Sequence, residues 1–342
     1  MNATKIKVKS ESIKSTQMKA IVSTGYGGPE VLQLQLVDKP VPRENEVLVK
    51  IKSAAITTAE TMMRTGYPLI GRLYMGFTKP KNAISGTSFA GEVEAVGANV
   101  SRFMIGDEVF GESLNTFGTY AEYVCIKADG IIANKPENVS FEEAATLGDG
   151  PITSWNFLQE LIKLEVGQSI LINGASGSLG TAAVQLAKHF GAEVTGVCST
   201  QNVALVKSLG ADEVIDYKKV DFTKTRKTYD FIYDTIGGSS FLKCKKLLND
   251  GGAYLSPVLG MSLLFQMIWT SVFGNKKALF SATGMLPIEK VISFLDEIKV
   301  LVERGKLKSI IDKRYQIEET ATAHQYIDTG RKKGNVVIIQ ND

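Results

Sequence analysis

The chain has 342 residues, of which 44% are hydrophobic and 22% are charged, ordinary values for soluble globular proteins. Its length is sufficient for about two domains. The formal net charge is +3 with lysines and acids interspersed, so we expect no nucleic-acid partner. The three cysteines, Cys125, Cys198 and Cys244, are far apart, which argues against a disulfide framework. They favour a reducing compartment, and we predict a cytoplasmic protein.

Residues 1–17 are basic: Lys5, Lys7, Lys9 and Lys14 stand against Glu11. The segment lacks the apolar run of a secretory signal, and it has no arginine to favour a transit peptide. We therefore predict a basic, disordered tail.

Residues 18–140 contain short apolar or alternating runs separated by glycine-rich turns, a pattern that predicts strands. The predicted strands are Ala20–Val22, Leu32–Val37, Glu46–Ala55, Ala90–Val96, Glu108–Gly111 and Ala121–Ile126. This part of the chain is expected to form a mostly-β domain.

From about Phe141 strands and helices alternate, which is typical of a doubly wound parallel sheet with right-handed crossovers. The predicted strands are Ser169–Asn173, Glu193–Cys198, Glu213–Ile215, Phe231–Thr235, Ala253–Ser256 and Ala278–Ala282. After them come a long helix, Ile288–Glu303, and a final strand, Asn335–Ile339. The α/β block, residues 141–284, is thus predicted to be inserted into the mostly-β domain, which the chain rejoins over residues 285–342.

A glycine turn joins the first strand of this block, Ser169–Asn173, to a helix that ends near Gly191. The turn reads Gly174-Ala175-Ser176-Gly177-Ser178-Leu179-Gly180. Backbone N–H groups and the positive end of a helix bind a pyrophosphate at such a turn, where side chains would block it. The alternative is an ordinary, closely packed strand–helix turn, but the strand–turn–helix context favours a dinucleotide site.

No acid follows the second strand, where an acid would bind the ribose 2′-hydroxyl of NAD. Hydroxyl and amide groups that could bind a 2′-phosphate stand there instead: Ser199, Thr200 and Asn202. Tyr217 follows the third strand beside Lys218 and Lys219 and could do the same. We therefore predict NADPH rather than NADH, although the serine and threonine could also cap the next helix.

The segment Val258–Phe273 is apolar but shorter than a membrane-spanning helix requires. We predict a buried or pocket-lining helix there, with contact to a membrane surface as the less favoured alternative.

Several sequence blocks, in order, resemble the zinc-independent medium-chain dehydrogenase/reductase family, in its quinone oxidoreductase-like branch. Besides Asn173–Gly180 they are Gly86–Gly97, Val100–Gly111, Gly118–Val124, Leu209–Tyr217, Tyr229–Gly238 and Gly334–Ile338. The resemblance implies a GroES-like catalytic domain, an inserted Rossmann domain, a cleft between them for NADPH and substrate, and a homodimer.

Zinc-dependent branches of that family have a cysteine in the segment that reads Ala54–Glu60 here and a His-Glu pair where this chain has Thr87-Ser88. Zinc requires several Cys, His or carboxylate ligands that converge on one point. The two histidines, His189 and His324, have no ligand-spaced partner, and we interpret both as structural. No metal is therefore expected.

The resemblance also implies the substrate side of the cleft. Tyr67 is similar to a tyrosine near the nicotinamide, and Thr57 and Thr58 stand where relatives often have Asn-Pro. We predict these three as catalytic, although Tyr67 could equally stabilise a turn before Pro68 and the threonines a β-turn. Three further residues are predicted at the cofactor: Thr153, Asn335, and Gly237, which would let the backbone approach the dinucleotide.

These residues predict a metal-independent, NADPH-dependent reductase of quinones or α,β-unsaturated carbonyl compounds. An enoyl-thioester reductase is a second possibility, with Lys79 and Lys81 near the expected pocket. A third is a nucleotide-binding, membrane-associated relative with little catalysis. The substrate pocket is expected from the loops Tyr67–Pro80 and Leu259–Gly274.

Overall fold

The computed structural model describes residues 16–67, 69–114 and 116–340. Most of the predicted basic tail, residues 1–15, lies outside the described residues, as does Pro68. The strands are β1 (Gln17–Ser23), β2 (Leu32–Asp38), β3 (Glu46–Ile56), β4 (Ser88–Val96), β5 (Glu108–Glu112), β6 (Tyr123–Lys127), β7 (Ile132–Asn134), β8 (Ser169–Asn173), β9 (Glu193–Cys198), β10 (Glu213–Asp216), β11 (Tyr229–Asp234), β12 (Leu248–Leu255), β13 (Lys277–Leu279), β14 (Ile311–Gln316) and β15 (Asn335–Ile339). The α-helices are α1 (Thr58–Thr65), α2 (Arg72–Met75), α3 (Phe141–Ala145), α4 (Asp149–Trp155), α5 (Ser178–His189), α6 (Val203–Ser208), α7 (Phe241–Cys244), α8 (Met261–Val272), α9 (Ile288–Glu303) and α10 (Thr320–Asp328).

The first large sheet combines both ends of the chain. Its strand order is β14-β15-β3-β4-β5-β7, and β6 pairs with β3. β15 lies antiparallel to β3, with Val336 opposite Ile56. The C-terminal strands therefore complete the β-rich domain, as the sequence predicts.

The second sheet has the order β10-β9-β8-β11-β12-β13, and every neighbouring pair in it is parallel. β8 is buried on both faces, since Ile170, Leu171 and Ile172 are all 0% exposed. The predicted doubly wound sheet is confirmed, and β8 and β9 have the predicted bounds. β13 is shorter than predicted because the chain leaves the sheet after Leu279.

Helix α9 packs against α4, and its buried residues share a hydrophobic cluster with those of β8. The chain next enters the first sheet at β14. The division of the chain at residues 140/141 and 284/285 stays a prediction.

Of the two alternatives predicted for Val258–Phe273, a buried helix is wrong for the apolar side chains, and a pocket-lining helix stays a prediction. α8 buries Leu263, Gln266 and Thr270 and leaves most of its large apolar side chains exposed. Its two buried polar groups bond locally: Gln266 to Ser262, and Thr270 to the backbone of Ala278. Among the described residues no helix is both long and apolar enough to cross a membrane.

Gly180 allows α5 to lie directly on the turn that leads into it. A Cβ at this position would stand 2.1 Å from the carbonyl oxygen of Gly174 and 2.7 Å from the Cα of Ala175. Both neighbours are backbone atoms and cannot rotate away. Any side chain at Gly180 therefore pushes α5 away from β8.

We expect Gly180→Ala to lower the free energy of unfolding by about 1–3 kcal/mol, the usual range for overpacking in a core. Gly284→Ala is the matched control, because a Cβ there would meet no atom within 4 Å. Chemical denaturation of both variants measures the difference. Equal stability of the two would contradict this account of the turn.

Candidate functional site

The glycine turn lies at the carboxyl end of β8 and has the geometry of an anion site. Gly174 has a φ of +80°, which suits glycine. Gly177 is the N-cap of α5, and no side chain caps that helix end. A Cβ on Gly177 would meet only the carbonyl oxygen of Gly174, at 3.4 Å, so the approach to the helix end is open. The turn therefore fits the pyrophosphate of a dinucleotide.

The same turn is bonded directly to the other domain. The backbone N–H of Gly334 donates to the carbonyl oxygen of Ser176 (2.8 Å), and the hydroxyl of Ser178 donates to the side-chain oxygen of Asn335 (2.5 Å). The amide nitrogen of Asn335 donates to the carbonyl oxygen of Ile310 (3.1 Å). Asn335, predicted as a cofactor contact, thus joins the turn to the first sheet.

The predicted substrate residues lie at the two ends of α1. Thr57 is buried and caps this helix: its hydroxyl accepts a bond from the N–H of Ala59, and its own N–H donates to Glu60. Thr58 is exposed at the first position of α1, and Tyr67 is 67% exposed just after the helix ends. Ile56 pairs with Val336, which is next to Asn335. The start of α1 therefore lies at the end of the first sheet to which the glycine turn is bonded.

Helix α4 brings Thr153 to the first turn of α5. Ser154 donates from its hydroxyl to the carbonyl oxygen of Leu179 (3.1 Å). Gly150 faces Ser178 with no side chain between them. The hydroxyl of Thr153 lies 3.1 Å from that of Thr283, and either can be the donor. The helix places Thr153 beside the turn, and its contact with a cofactor stays a prediction.

The residues predicted for the 2′-phosphate are partly engaged with the protein. Asn202 is buried, and its amide nitrogen donates to the hydroxyl of Ser176 (3.0 Å), so it supports the turn. Thr200 donates from its hydroxyl to Asp216 (2.7 Å), and Ser199 is half-buried. Tyr217 is 51% exposed.

Asp216 is an acid that the sequence analysis missed at this position. It comes from the third strand, whose register places it opposite Cys198, one residue before Ser199. The hydrogen bond from Thr200, with Lys218 and Lys219 nearby, holds the pKa of Asp216 below its ordinary value. The sequence carries a signal for this acid, because Asp216 directly follows the predicted third strand, Glu213–Ile215.

Asp234, a second missed residue, fixes the loop that contains Gly237. This buried carboxylate accepts bonds from the N–H groups of Gly238 and Ser239, the hydroxyl of Tyr254 and the side chain of Asn173. Gly237 has a φ of +65°, and a Cβ there would lie 2.9 Å from Val258. The loop is therefore held close to the end of β12, at the carboxyl edge of the parallel sheet.

Buried carboxyl groups, also missed, lie in and beside the first turn of α1. Glu60 accepts bonds from the N–H and the hydroxyl of Thr87, both at 3.1 Å. Glu112 is 4% exposed, and within the part of the chain that the structure describes neither of its carboxyl oxygens has a hydrogen-bond partner, nor does the hydroxyl of Ser88. Burial, with the negative charge of Asp149, raises the pKa of Glu112 well above its ordinary value and that of Glu60 to about 7. With a pKa of about 7, Glu60 is therefore partly protonated at neutral pH.

The described residues contain no group of three or more His, Cys, Asp or Glu side chains arranged to hold a metal ion. His324 is 1% exposed, and neither ring nitrogen has a partner. Burial and the nearby Arg64 lower its pKa to about 3. His189 is exposed at the end of α5 that is remote from the glycine turn. Both positions agree with structural roles.

The raised pKa of Glu60 predicts a pH-dependent stability. Between its ordinary pKa of 4.5 and its folded value of about 7, the folded protein keeps a proton that the unfolded chain loses. The stabilisation that this proton gives the folded protein is complete below pH 4.5 and is lost as the pH rises through about 7. We expect thermal melting to show a smaller loss of stability from pH 5 to pH 8 in Glu60→Gln than in the unchanged protein.

Glu318→Gln is the control, because its ion pair with Lys19 lowers the pKa of Glu318 and moves its titration below that pH window. An unchanged pH dependence in Glu60→Gln would contradict the assignment.

Comparison with protein families agrees with this architecture. Residues 43–137 match the alcohol dehydrogenase GroES-like domain, and residues 209–338 match the zinc-binding dehydrogenase domain. The GroES-like domain with an inserted Rossmann-type sheet, predicted from the sequence, is thereby confirmed.

Individual relatives cover nearly the whole chain. It is 32% identical to the chloroplastic quinone-oxidoreductase homolog of Spinacia oleracea, over 94% of this chain and 98% of that protein. It is also 32% identical to the 2-methylene-furan-3-one reductase of Solanum lycopersicum, over 94% of this chain and 79% of that protein. The structure of Escherichia coli quinone oxidoreductase complexed with NADPH superposes with a TM-score of 0.79 at 25% identity, over 95% of this chain and 100% of that one. These matches agree with the glycine turn and its bonds to the first sheet. This chain belongs to the medium-chain dehydrogenase/reductase family, in the quinone oxidoreductase-like branch.

Proposed function

We propose that the protein is a metal-independent, NADPH-dependent reductase of quinones or α,β-unsaturated carbonyl compounds. The observation that carries the proposal is the open, uncapped N-terminus of α5, bonded through Ser176 and Ser178 to the sheet that bears Thr57 and Thr58. A dinucleotide on this turn would extend along the carboxyl edge of the parallel sheet towards Thr153 and Gly237. The three relatives named above are called quinone oxidoreductases or a furanone reductase, and their names also support the proposal.

The residues present suit an acceptor that is already electron-poor. Bound NADPH supplies the hydride, and the protein orients the acceptor and excludes water. Where the resemblance implies ligands in zinc-dependent relatives, this chain has no cysteine in the segment Ala54–Glu60 and has Thr87 and Ser88, whose side chains can donate or accept hydrogen bonds. Thr58 is exposed at the start of α1 and Tyr67 is exposed just after its end, and the hydroxyl of one of the two would hold the oxygen that gains negative charge. One proton from solvent then completes the two-electron reduction.

The preference for NADPH rests on the groups at the ends of β9 and β10. Ser199, Tyr217, Lys218 and Lys219 offer hydroxyl and ammonium donors for a 2′-phosphate. Asp216 is held by Thr200 and lies 3.8 Å from the ammonium of Lys219, which offsets its charge.

We further propose a cytoplasmic homodimer. The three cysteines are free, as expected in a reducing compartment. Among the described residues β13 is the last strand of the parallel sheet and pairs with β12 alone, so we propose that a second copy uses its outer edge.

Oxidation of NADPH by the purified, EDTA-treated protein tests the function. The acceptors are a benzoquinone, an ortho-quinone, an enone, an enal, an enoyl thioester and a simple aldehyde. We expect turnover of the quinones or the enone that survives chelation and exceeds the rate with NADH. Turnover of the thioester alone would favour an enoyl-thioester reductase, and tight NADPH binding without any turnover would favour a nucleotide-binding protein.

Asp216→Asn tests the position of the 2′-phosphate. Removing this charge is expected to raise kcat/KM for NADPH by about threefold to tenfold, since like charges in a partly exposed site repel modestly. The value for NADH should stay within about twofold, because NADH has no 2′-phosphate. Asp221→Asn is the matched control, since Asp221 also accepts a bond from a neighbouring threonine hydroxyl. A selective loss with NADH would instead show that Asp216 binds the ribose hydroxyl.

A further inference from the structure

Helix α8 presents a continuous apolar face to solvent. Met261, Phe265, Ile268, Trp269, Val272 and, just after the helix, Phe273 are between 55% and 72% exposed. Their spacing of three and four residues places them on one side of the helix. The helix contains no charged residue. We call these six residues the α8 face.

The opposite side of α8 is fixed to the protein through polar groups. The hydroxyl of Thr270 accepts a bond from the N–H of Ala278 in β13 (3.1 Å), and the ammonium of Lys277 donates to the carbonyl oxygen of Thr270. Leu263 packs in the small core cluster on this side. Rotating the helix to bury the α8 face would break these bonds and expose Leu263. The outward direction of the apolar residues is therefore set by the fold.

Lysines surround one end of the α8 face. Lys276, four residues after the helix, donates from its ammonium to the carbonyl oxygens of Lys245 and Leu248, which ties that turn to the end of α8. Lys243, Lys245 and Lys246 are exposed. The stretch from residue 235 to residue 286 contains five lysines and a single acid, Asp250. Asp250 lies 3.9 Å from the ammonium of Lys276 and offsets one of these charges, which leaves an excess of four positive charges in this stretch.

We propose that the α8 face docks on an anionic lipid bilayer. A helix of 12 residues is about 18 Å long and cannot span a membrane, but it can lie at the boundary between headgroups and acyl chains. Tryptophan and phenylalanine side chains are favoured at that depth, and lysines at the rim attract anionic headgroups. A second copy fits less well, because a two-fold contact across this face would bring lysines of the same sign together.

This docking would bring the mouth of the candidate site to the lipid surface. α8 follows β12 at the carboxyl edge of the parallel sheet, and Val258, three residues before the helix, lies against Gly237. The proposal concerns binding and does not depend on which acceptor the enzyme reduces.

Co-sedimentation of the full chain with lipid vesicles tests the proposal. The vesicles contain phosphatidylcholine alone or phosphatidylcholine with phosphatidylserine. We expect binding to the anionic vesicles that is at least about tenfold stronger and that weakens with added salt. Phe265→Ser/Trp269→Ser should lower binding to the anionic vesicles at least about tenfold.

Met104→Ser/Ile105→Ser is the matched control for loss of exposed apolar area, since both of those residues are also exposed and lie between β4 and β5. Lys245→Glu/Lys246→Glu should lower binding to the anionic vesicles, whereas Lys306→Glu/Lys308→Glu, at exposed lysines elsewhere, should lower it much less. Thermal melting checks that each variant is folded.

Equal binding to both kinds of vesicle, or no effect of the α8 substitutions, would overturn the proposal. Light scattering provides the other decisive result. If the unchanged protein is a dimer and Phe265→Ser/Trp269→Ser is a monomer, the α8 face belongs to a second copy.

Discussion

The hydrogen bonds between the glycine turn and the start of β15 are the constraint on which the site depends. Gly334 donates to Ser176, and Ser178 donates to Asn335, so the end of one sheet is bonded to the end of the other. Because β15 also pairs with β3, the same contact sets the position of Thr57 and α1 relative to the glycine turn. A change at Asn335 would therefore alter the position of the glycine turn relative to α1.

Buried carboxyl groups near the start of α1 have an unusual electrostatic environment. Glu60 both caps α1 and holds Thr87, while Glu112 has no hydrogen-bond partner for either oxygen. A buried carboxyl without a partner is most stable when protonated. The charge of this buried group of carboxyl side chains therefore depends on pH. Asp234, by contrast, is fully bonded and holds the Gly237 loop rigid.

Helix α8 reverses the usual pattern of a surface helix, in which apolar residues face inward. Hydrophobicity along the segment predicts that it is buried, yet the bonds of Thr270 to β13 decide which side faces the protein. Local sequence cannot specify that direction, since it depends on the neighbouring strand. The exposed apolar side and the lysines beside it then become a surface available to a partner.

The sequence by itself determined the order of strands and helices, the glycine turn and the family, because these follow from local periodicity and from motifs that are contiguous in the chain. Only the tertiary structure decided which side chains meet. It placed Asp216 of one strand beside Thr200 of another, gave Asn202 and Asn335 supporting roles, and gathered Glu60, Glu112 and Asp149 behind α1. These groups are distant in the chain, and strand register and helix packing, which no local pattern specifies, bring them together.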